Sequence, residues 1–323
     1  PLLRIGYREW NPQGRQTIVL THGWPDSLRC WHQVVPYLEA AGYRVLAPAL
    51  RGFLPTTFLS DDTPRSGQLS ALGRDMVDLV QALHLDQPVL VGHDWGARAV
   101  ANACGLQPGL ASHMVLLSVG YGTNDPQQTL SIEQSHLYWY HWFMATPRGI
   151  HTVKEEGQAF AQHMWDHWAP KGWYLPSEFD QTALAFNNPD WAAVVLHSYQ
   201  HRWGHAAGDP YYDKDEALLQ PAPVLALPTL VLHGELDGAS LPATSANKEK
   251  FFNGRYERQV LPGVGHFPQR EAPRKVAEEL VKIFPDLEVN ALTARLALGK
   301  PGYLRRRIMP EDANKVLALG EPA

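Results

Sequence analysis

Short β-rich apolar runs alternate along this chain with stretches whose apolar residues have helical spacing. Residues 16–21 and 43–49 are two such runs, with a helix-like segment between them. The pattern continues over a predicted helix near 69–84, a strand at 88–91, a helix at 97–106 and a strand at 114–117. This alternation predicts an α/β fold with a mostly parallel, doubly wound sheet.

The composition changes near residue 124. Trp and His become dense, and strand-like runs stop until Pro228. This segment reads as a helical insertion, after which predicted strands at 229–233 and 256–261 and a helix at 272–284 resume the first pattern.

The predicted organisation is therefore a core split by a cap. The core comprises residues 1–123 and 218–285, and the helical cap, or lid, comprises 124–217. Residues 286–323 carry no recognisable motif and form a C-terminal extension of unknown role, for which a tail packed on the surface is slightly favoured over a partner-binding arm or disorder.

Bulk properties limit the partners. The formal net charge is −5, and no run of Lys and Arg precedes the short one at 305–307, so nucleic-acid binding is not expected. No apolar run reaches the length of a membrane span, and the two cysteines, Cys30 and Cys104, suit a reducing, cytoplasmic location. A monomer and a homodimer both remain open.

The sequence Gly92-His93-Asp94-Trp95-Gly96 directly follows the strand at 88–91 and opens a helix. It matches the small-x-nucleophile-x-small pattern of a tight strand-to-helix turn, with Asp94 where Ser usually stands. An Asp at this position can also be a simple helix N-cap.

A second motif, His22-Gly23-Trp24-Pro25, follows the strand at 16–21. In a fold of this kind the loop here supplies one backbone N–H of an oxyanion hole, and the residue after the nucleophile supplies the other. Trp24 and Trp95 are the predicted donors. The alternative is a plain Gly-Pro turn, in which the Trp-Pro bond can be cis.

A third motif places His266 in a loop after the last predicted strand, where it would reach the carboxyl edge of the sheet. Asp237, just after the strand at 229–233, is the acid expected to orient it and is favoured over Glu235. The order nucleophile, acid, histidine along the chain is the one this fold uses.

These motifs together resemble the α/β-hydrolase fold, in the group that contains epoxide hydrolases, haloalkane dehalogenases and haloacetate dehalogenases. The resemblance covers roughly residues 1–285 and implies an Asp nucleophile that attacks an sp³ carbon and forms an alkyl ester, which a His-activated water then cleaves. A serine would leave an ether with no easy exit, whereas a carboxylate leaves an ester that water can hydrolyse. No cofactor and no metal are implied.

The resemblance to epoxide hydrolases implies acidic donors on the cap, because the opened ring is an alkoxide. Tyr199 stands where the second cap tyrosine is expected, and His141 is the nominated first donor; aromatic packing is the alternative for both. Trp142 and Phe267 are expected in the substrate pocket, which the Trp-rich cap makes apolar, so the predicted substrate is a small apolar epoxide that becomes a vicinal diol.

Other functions stay open. Haloacetate dehalogenases hold the substrate carboxylate with the two arginines of Asp-Arg-x-x-Arg, but here Trp95 replaces the first and only Arg98 remains. Trp95 is compatible with a haloalkane dehalogenase. Ester or lactone hydrolysis and a ligand-binding receptor on the same fold are further alternatives. The His163/His167 and His197/His201 pairs have metal-ligand spacing but no obvious third ligand.

Overall fold

A computed structural model describes residues 2–122 and 128–283, together with the backbone of residues 314–318. Within these residues nine strands form one sheet. They are β1 (Leu3–Trp10), β2 (Thr17–Thr21), β3 (Arg44–Pro48), β4 (Thr57–Phe58), β5 (Val89–His93), β6 (His113–Leu117), β7 (Thr229–Gly234), β8 (Tyr256–Leu261) and β9 (Asn314–Ala318).

The sheet order is β4-β1-β3-β2-β5-β6-β7-β8, and β9 pairs with β1. Strands β3, β2, β5, β6, β7 and β8 pair in parallel, whereas β1 pairs antiparallel with β3, β4 and β9. The predicted α/β-hydrolase fold with a mostly parallel sheet is confirmed. The antiparallel edge is an addition that the alternating pattern does not contain.

Twelve α-helices lie in the described residues. They are α1 (Val35–Ala40), α2 (Leu69–Ala82), α3 (Trp95–Leu106), α4 (Ile132–Leu137), α5 (Trp139–Met144), α6 (Pro147–Glu155), α7 (Gly157–Trp168), α8 (Pro176–Ala183), α9 (Trp191–Arg202), α10 (Asp213–Leu219), α11 (Pro268–Glu271) and α12 (Pro273–Lys282).

The central strands are buried on both faces, which is why they read as continuous apolar runs. Along β2, Ile18 and Leu20 belong to one apolar cluster and Val19 between them belongs to the other, because successive side chains of a strand point to opposite faces. Helices α2 and α3 contribute to the cluster around Val19, and α1 and α12 to the cluster around Ile18.

The segment between β6 and β7 is helical where it is described, from α4 to α10. Side-chain caps begin two of these helices: the Ser131 hydroxyl accepts from the backbone N–H of Gln134, and Thr146 accepts from Gly149. The division into core and cap at residues 124 and 217 remains a prediction.

The predicted C-terminal extension, 286–323, lies outside the described residues except for β9, whose backbone pairs antiparallel with residues Arg4–Arg8 of β1. Among the described helices, none is long and apolar enough to cross a membrane.

Candidate active site

Asp94 sits in a sharp turn between β5 and α3, with φ of 50° and ψ of −114°. A Cβ on Gly92 would lie 2.2 Å from the carbonyl carbon of Gly96, and one on Gly96 would lie 2.3 Å from the carbonyl oxygen of Thr21. Only glycine fits at both places. The turn therefore holds Asp94 in a strained left-handed conformation that lifts its carboxylate above the carboxyl edge of the sheet.

The loop after β2 touches this carboxylate. The backbone N–H of Trp24 donates to Asp94 Oδ1 at 2.9 Å. A Cβ on Gly23 would lie 2.4 Å from Cβ of Asp94, so the glycine is what allows the loop to approach. The Trp24-Pro25 peptide bond is cis.

His22 fixes that loop from below. It is fully buried, its Nδ1–H donates to the Gly23 carbonyl at 3.0 Å, and its Nε2 accepts from the backbone N–H of Leu50 at 3.0 Å. Burial lowers the pKa of His22 to about 4, so the ring is neutral near pH 7, as this donor and acceptor pattern requires.

His266 faces the other oxygen of the carboxylate. Its Nε2 lies 3.8 Å from Asp94 Oδ2, and its Nδ1 lies 2.9 Å from both oxygens of Asp237. His266 Nε2 is buried and has no hydrogen-bond partner among the described residues. With Nδ1–H donating to Asp237, Nε2 is left as a proton acceptor that faces Asp94.

The charges of this pair reinforce each other. Burial alone would lower the pKa of His266, but the charge and hydrogen bond of Asp237 outweigh it, so the pKa is raised. Burial alone would raise the pKa of Asp237, yet the charge of His266 and hydrogen bonds from His233 and His266 leave it well below its usual range.

Asp237 has a second histidine behind it that the sequence motifs did not single out. His233, on β7, is fully buried, and its Nε2 lies 3.3 Å from Asp237 Oδ2 and 2.8 Å from the Ser240 carbonyl. Its Nδ1 lies 2.8 Å from the Ser245 hydroxyl, to which Arg258 Nε donates at 2.9 Å. The sequence signal that could have identified His233 is its position at the end of the predicted strand 229–233, four residues before Asp237.

His93, in the motif around the nucleophile, is a supporting residue. Its Nε2 lies 2.7 Å from the carbonyl oxygen of His266, which also accepts from the Ser118 hydroxyl at 2.9 Å. Burial, followed by the charge of His266, lowers the pKa of His93 to about 4. A neutral ring therefore anchors the backbone of the catalytic-loop histidine.

Tyr199, on α9 of the cap, is buried above this edge. Its hydroxyl accepts from the indole N–H of Trp95 at 3.1 Å, and its ring meets that of Trp24 edge-on at 5.2 Å. The pKa of Tyr199 is raised well above its usual value, first by burial and then by the negative charge of Asp94. The phenol is therefore protonated and within electrostatic reach of the carboxylate.

Tyr140, on α5, is a candidate proton donor that the sequence motifs did not indicate; they pointed to its neighbour His141. The Tyr140 ring stacks on Trp24 at 5.7 Å, and burial together with the charges of Tyr199, Tyr138 and Asp94 raises its pKa well above the usual value. Consecutive residues of a helix point about 100° apart, so only one of the pair can face Trp24 directly.

His141 points into the cap instead. It stacks on Tyr138 at 4.1 Å, and its Nδ1 accepts from the indole N–H of Trp203 at 3.0 Å. Its pKa is lowered well below the usual value by burial and by the charges of Arg202 and Arg98. Its ring also lies 4.6 Å from that of Tyr199.

The two predicted pocket residues differ in their surroundings. Phe267 is buried, meets His266 edge-on at 5.1 Å and stacks on Trp173 at 4.6 Å. Trp142 is half-buried, donates its indole N–H to the Ser135 carbonyl at 3.0 Å and packs on Trp203 at 4.9 Å. The contacts of Trp142 thus lie within the cap.

Neither predicted histidine pair gains a third ligand. Over residues 2–122 and 128–283, no group of three or more His, Cys, Asp or Glu side chains is arranged to hold a metal ion. His167 Nδ1 instead bonds the backbone carbonyl of His163 at 2.7 Å.

The family model for the alpha/beta hydrolase fold matches residues 16–273. The chain belongs to this family, which confirms the family predicted from its motifs.

Within the family, this chain is an epoxide hydrolase-like α/β hydrolase. A crystal structure of a protein proposed to be an epoxide hydrolase, from Klebsiella pneumoniae subsp. pneumoniae MGH 78578, is 37% identical, covers 87% of this chain and 94% of that chain, and superposes with a TM-score of 0.83. An epoxide hydrolase of Caballeronia sordidicola is 27% identical over 302 residues, 82% of this chain and 86% of the relative. Epoxide hydrolase A of Mycobacterium tuberculosis is 23% identical over 318 residues, 89% and 96% of the two chains.

Proposed function

We propose that this chain hydrolyses a small epoxide to a vicinal diol through an alkyl ester on Asp94, without a cofactor. The observation that carries the proposal is that the two Asp94 oxygens have different neighbours and lie beneath two buried tyrosines. Oδ1 accepts from the Trp24 N–H, and Oδ2 faces His266.

In the first half-reaction Asp94 Oδ2 attacks one carbon of the epoxide ring, and the bond from that carbon to the ring oxygen breaks. The ring oxygen leaves as an alkoxide unless it receives a proton. Tyr140 and Tyr199 both pack on Trp24, whose N–H binds the nucleophile, and both phenols are kept protonated by burial and by the Asp94 charge. One of them transfers its proton, and the other donates a hydrogen bond to the same oxygen.

In the second half-reaction water attacks the ester carbonyl carbon while His266 Nε2 removes a proton from it. Oδ1 is then the carbonyl oxygen and becomes the oxyanion, stabilised by the Trp24 N–H and, we propose, by that of Trp95. Asp237 stabilises the imidazolium. Collapse breaks the bond between Cγ of Asp94 and Oδ2, and Oδ2 leaves as the second diol oxygen with the proton that His266 took from water. The remaining water proton, now on the Asp94 carboxylic acid, returns to the tyrosinate and restores both groups.

The walls around the nucleophile favour an apolar substrate body. The rings of Tyr140, Trp168 and Tyr199 lie within 5.7 Å of the Trp24 ring, and Phe160 lies 6.1 Å away. Such an aromatic lining binds aliphatic and aryl groups by burial of apolar surface.

The test is a single turnover in ¹⁸O-labelled water with enzyme in excess over a neutral epoxide such as styrene oxide. Because the first diol takes its oxygen from Asp94, we expect unlabelled diol and one ¹⁸O in the peptide containing Asp94. A labelled first diol would show direct attack by water and overturn the ester scheme. Asp94→Ala must abolish diol formation.

Two further variants separate the half-reactions. His266→Gln should accumulate an Asp94 peptide heavier by the mass of the epoxide, because ester formation does not need the base. Tyr140→Phe and Tyr199→Phe should slow alkylation by about 10²-fold each, the lower range for a lost general acid. His141→Phe is the matched control, and a loss in it equal to that of Tyr140→Phe would return the first donor to His141.

Halogenated alkanes, haloacetates and esters belong in the same panel, since Asp94 and His266 could also serve those reactions. Halide release or ester cleavage without diol would assign the chain to a neighbouring activity. No turnover on any of them would favour a binding protein.

A further inference from the structure

A buried cation lies one helical turn beyond Tyr199. Arg202 ends α9 with 8% of its surface exposed, and its Nε and Nη2 are buried with no hydrogen-bond partner in the part of the chain that the structure describes. Among the described residues it makes no ion pair with a carboxylate. Burying a guanidinium without an acceptor is unfavourable, so such a group marks a place where an acceptor is expected to bind.

Other positive charge surrounds Arg202. Its guanidinium lies 5.0 Å from the centre of the Tyr199 ring. Burial lowers the pKa of Arg202, and the charge of Arg98, on α3, lowers it further. Lys248 carries the same signature, since burial and then the charges of Lys250 and Arg98 lower its pKa. The Arg98 charge thus acts on both Arg202 and Lys248, which lie on separate elements.

A neutral donor adds to this set. His141 Nδ1 accepts from Trp203, so Nε2 carries the ring hydrogen, and Nε2 is buried without a hydrogen-bond partner over residues 2–122 and 128–283. Beside His141, Tyr138 lines a cavity of about 200 Å³ together with Arg98, Ser240 and Lys248. Arg98 therefore lines a space that can hold a small group, and its charge acts on both Arg202 and His141 beside that space.

We propose that Arg202, with Arg98 and the His141 N–H, forms an anion subsite that binds the carboxylate of an epoxy acid while Asp94 attacks its ring. The inference rests on the proposed function and narrows its substrate class. A planar guanidinium suits a carboxylate because it can donate two parallel hydrogen bonds.

The spacing sets the length of the substrate. Tyr199 and Arg202 are three residues apart on one helix, a rise of about 4.5 Å. An epoxide oxygen that binds Tyr199 therefore places the subsite a few bonds from the ring. A short aliphatic or aryl spacer fits between them, in agreement with the aromatic walls around Trp24.

Arg202 could serve the chemistry in another way, because its charge lowers the pKa of Tyr199 and so makes the phenol a better acid. This role predicts the same loss of rate for acidic and neutral epoxides when Arg202 is removed. An anion subsite predicts a loss for the acid alone, so the two roles are separable by experiment.

The experiment compares a short aryl epoxy acid with its methyl ester and primary amide in the intact chain. We expect kcat/KM for the acid to exceed that for the neutral pair by about 10- to 100-fold, the range of one or two charged hydrogen bonds. In Arg202→Met this preference should disappear, because kcat/KM for the acid falls to that for the ester, and Arg202→Lys should restore part of it. Arg65→Met, which removes a cation from a loop far along the chain, should leave the preference intact.

Binding of a non-reactive carboxylate of the same shape tests the anion subsite without requiring turnover. It should inhibit and raise the melting temperature of the wild type but not of Arg202→Met. Equal kcat/KM for acid and ester in the wild type, together with no binding of the carboxylate, would overturn the subsite and leave epoxide hydrolysis standing. Binding of the carboxylate without diol from any epoxide would instead support the subsite and overturn the proposed function. If Arg202→Met does not fold, two wild-type measurements still test the subsite: the preference for the acid over the ester, and inhibition of acid turnover by the non-reactive carboxylate.

Discussion

Buried arginines have different partners in two regions: at a seam, where Arg51 and Arg270 of the sheet domain contact the helical segment between β6 and β7, and on α9 of that segment, above Asp94. At the seam, Arg51 donates to both oxygens of Asp75 at 2.7 and 2.6 Å, and Arg270 donates to both oxygens of Asp26 at 2.8 and 2.7 Å. Each also reaches a residue from the inserted segment, Tyr212 for Arg51 and Thr182 for Arg270. Above Asp94, Arg202 is equally buried but has no carboxylate beside it among the described residues.

The electrostatic consequence has opposite signs in the two regions. Burial alone would lower the pKa of Arg51 and of Arg270, but Asp75 and Asp26 raise both. The pKa of Arg202 is lowered by burial and by Arg98. Arg51 and Arg270 are thus each neutralised by an aspartate, whereas no carboxylate among the described residues pairs with Arg202. We infer that the seam is built for cohesion and the space above Asp94 for a ligand.

The largest effect is expected at the carboxyl edge of the sheet, where the Asp237 carboxylate pairs with His266. Asp237→Asn should slow hydrolysis of the Asp94 ester by about 10⁴-fold, because it removes the charge that stabilises the His266 imidazolium. In the wild type the rate should fall as pH falls through the raised pKa of His266, since the protonated ring cannot accept a proton from water. In the variant that limb should move to lower pH. Rapid-quench measurement of ester decay against pH checks both, and an unshifted limb would contradict the pairing.

The seam is next. Asp75→Ala should lower the free energy of unfolding by about 3–5 kcal/mol, because Arg51 would stay buried without its partner. Urea denaturation measures the change. Asp61→Ala is the control: that carboxylate is fully exposed 3.6 Å from Arg65, so no measurable loss is expected. Similar losses in the two variants would remove the contrast between seam and surface.

His233 should have an intermediate effect. His233→Leu removes a donor to Asp237, and a hydrogen bond to a charged group contributes about 1.5 kcal/mol, or roughly tenfold in rate. Ester hydrolysis should slow by that factor while alkylation of Asp94 is unchanged, and His233→Gln should recover part of the loss. Equal slowing of both half-reactions would point to a general structural role instead.

The smallest effect is expected at Arg202, and its direction is opposite to that at the seam. Arg202→Met should leave the free energy of unfolding unchanged or raise it by up to about 1 kcal/mol, because an unpaired charge no longer has to be buried. Thermal and urea unfolding without ligand give this number. A loss as large as that of Asp75→Ala would show that Arg202 has a structural partner, and the distinction between the two regions would then fail.

Local sequence patterns determined the parallel core and the edge of the sheet that carries the proposed catalytic groups. Strand β8 has the predicted bounds, and β5 lies within two residues of its prediction. For β5 the signal is local, because an apolar run ends in Gly92-His93-Asp94. The antiparallel strands β1 and β4 were not predicted, since their pairing depends on partners distant in the chain. Asp94, His266 and Asp237 could be named because each follows a strand, and strand ends meet at one edge.

The tertiary structure alone decided how the helices between β6 and β7 pack near Trp24 and which side chains lie beside Asp237. Our proposal of Tyr140 rather than His141 as a proton donor depends on the rotation of a six-residue helix against Trp24, which no periodicity reports in so short and aromatic a stretch. His233 gains its meaning only from the turn that brings Asp237 back beside it. Arg202 reads as an ordinary helix-terminal arginine until packing removes it from water beside Arg98, because burial and charge proximity are properties of the folded chain and are not written in any local segment.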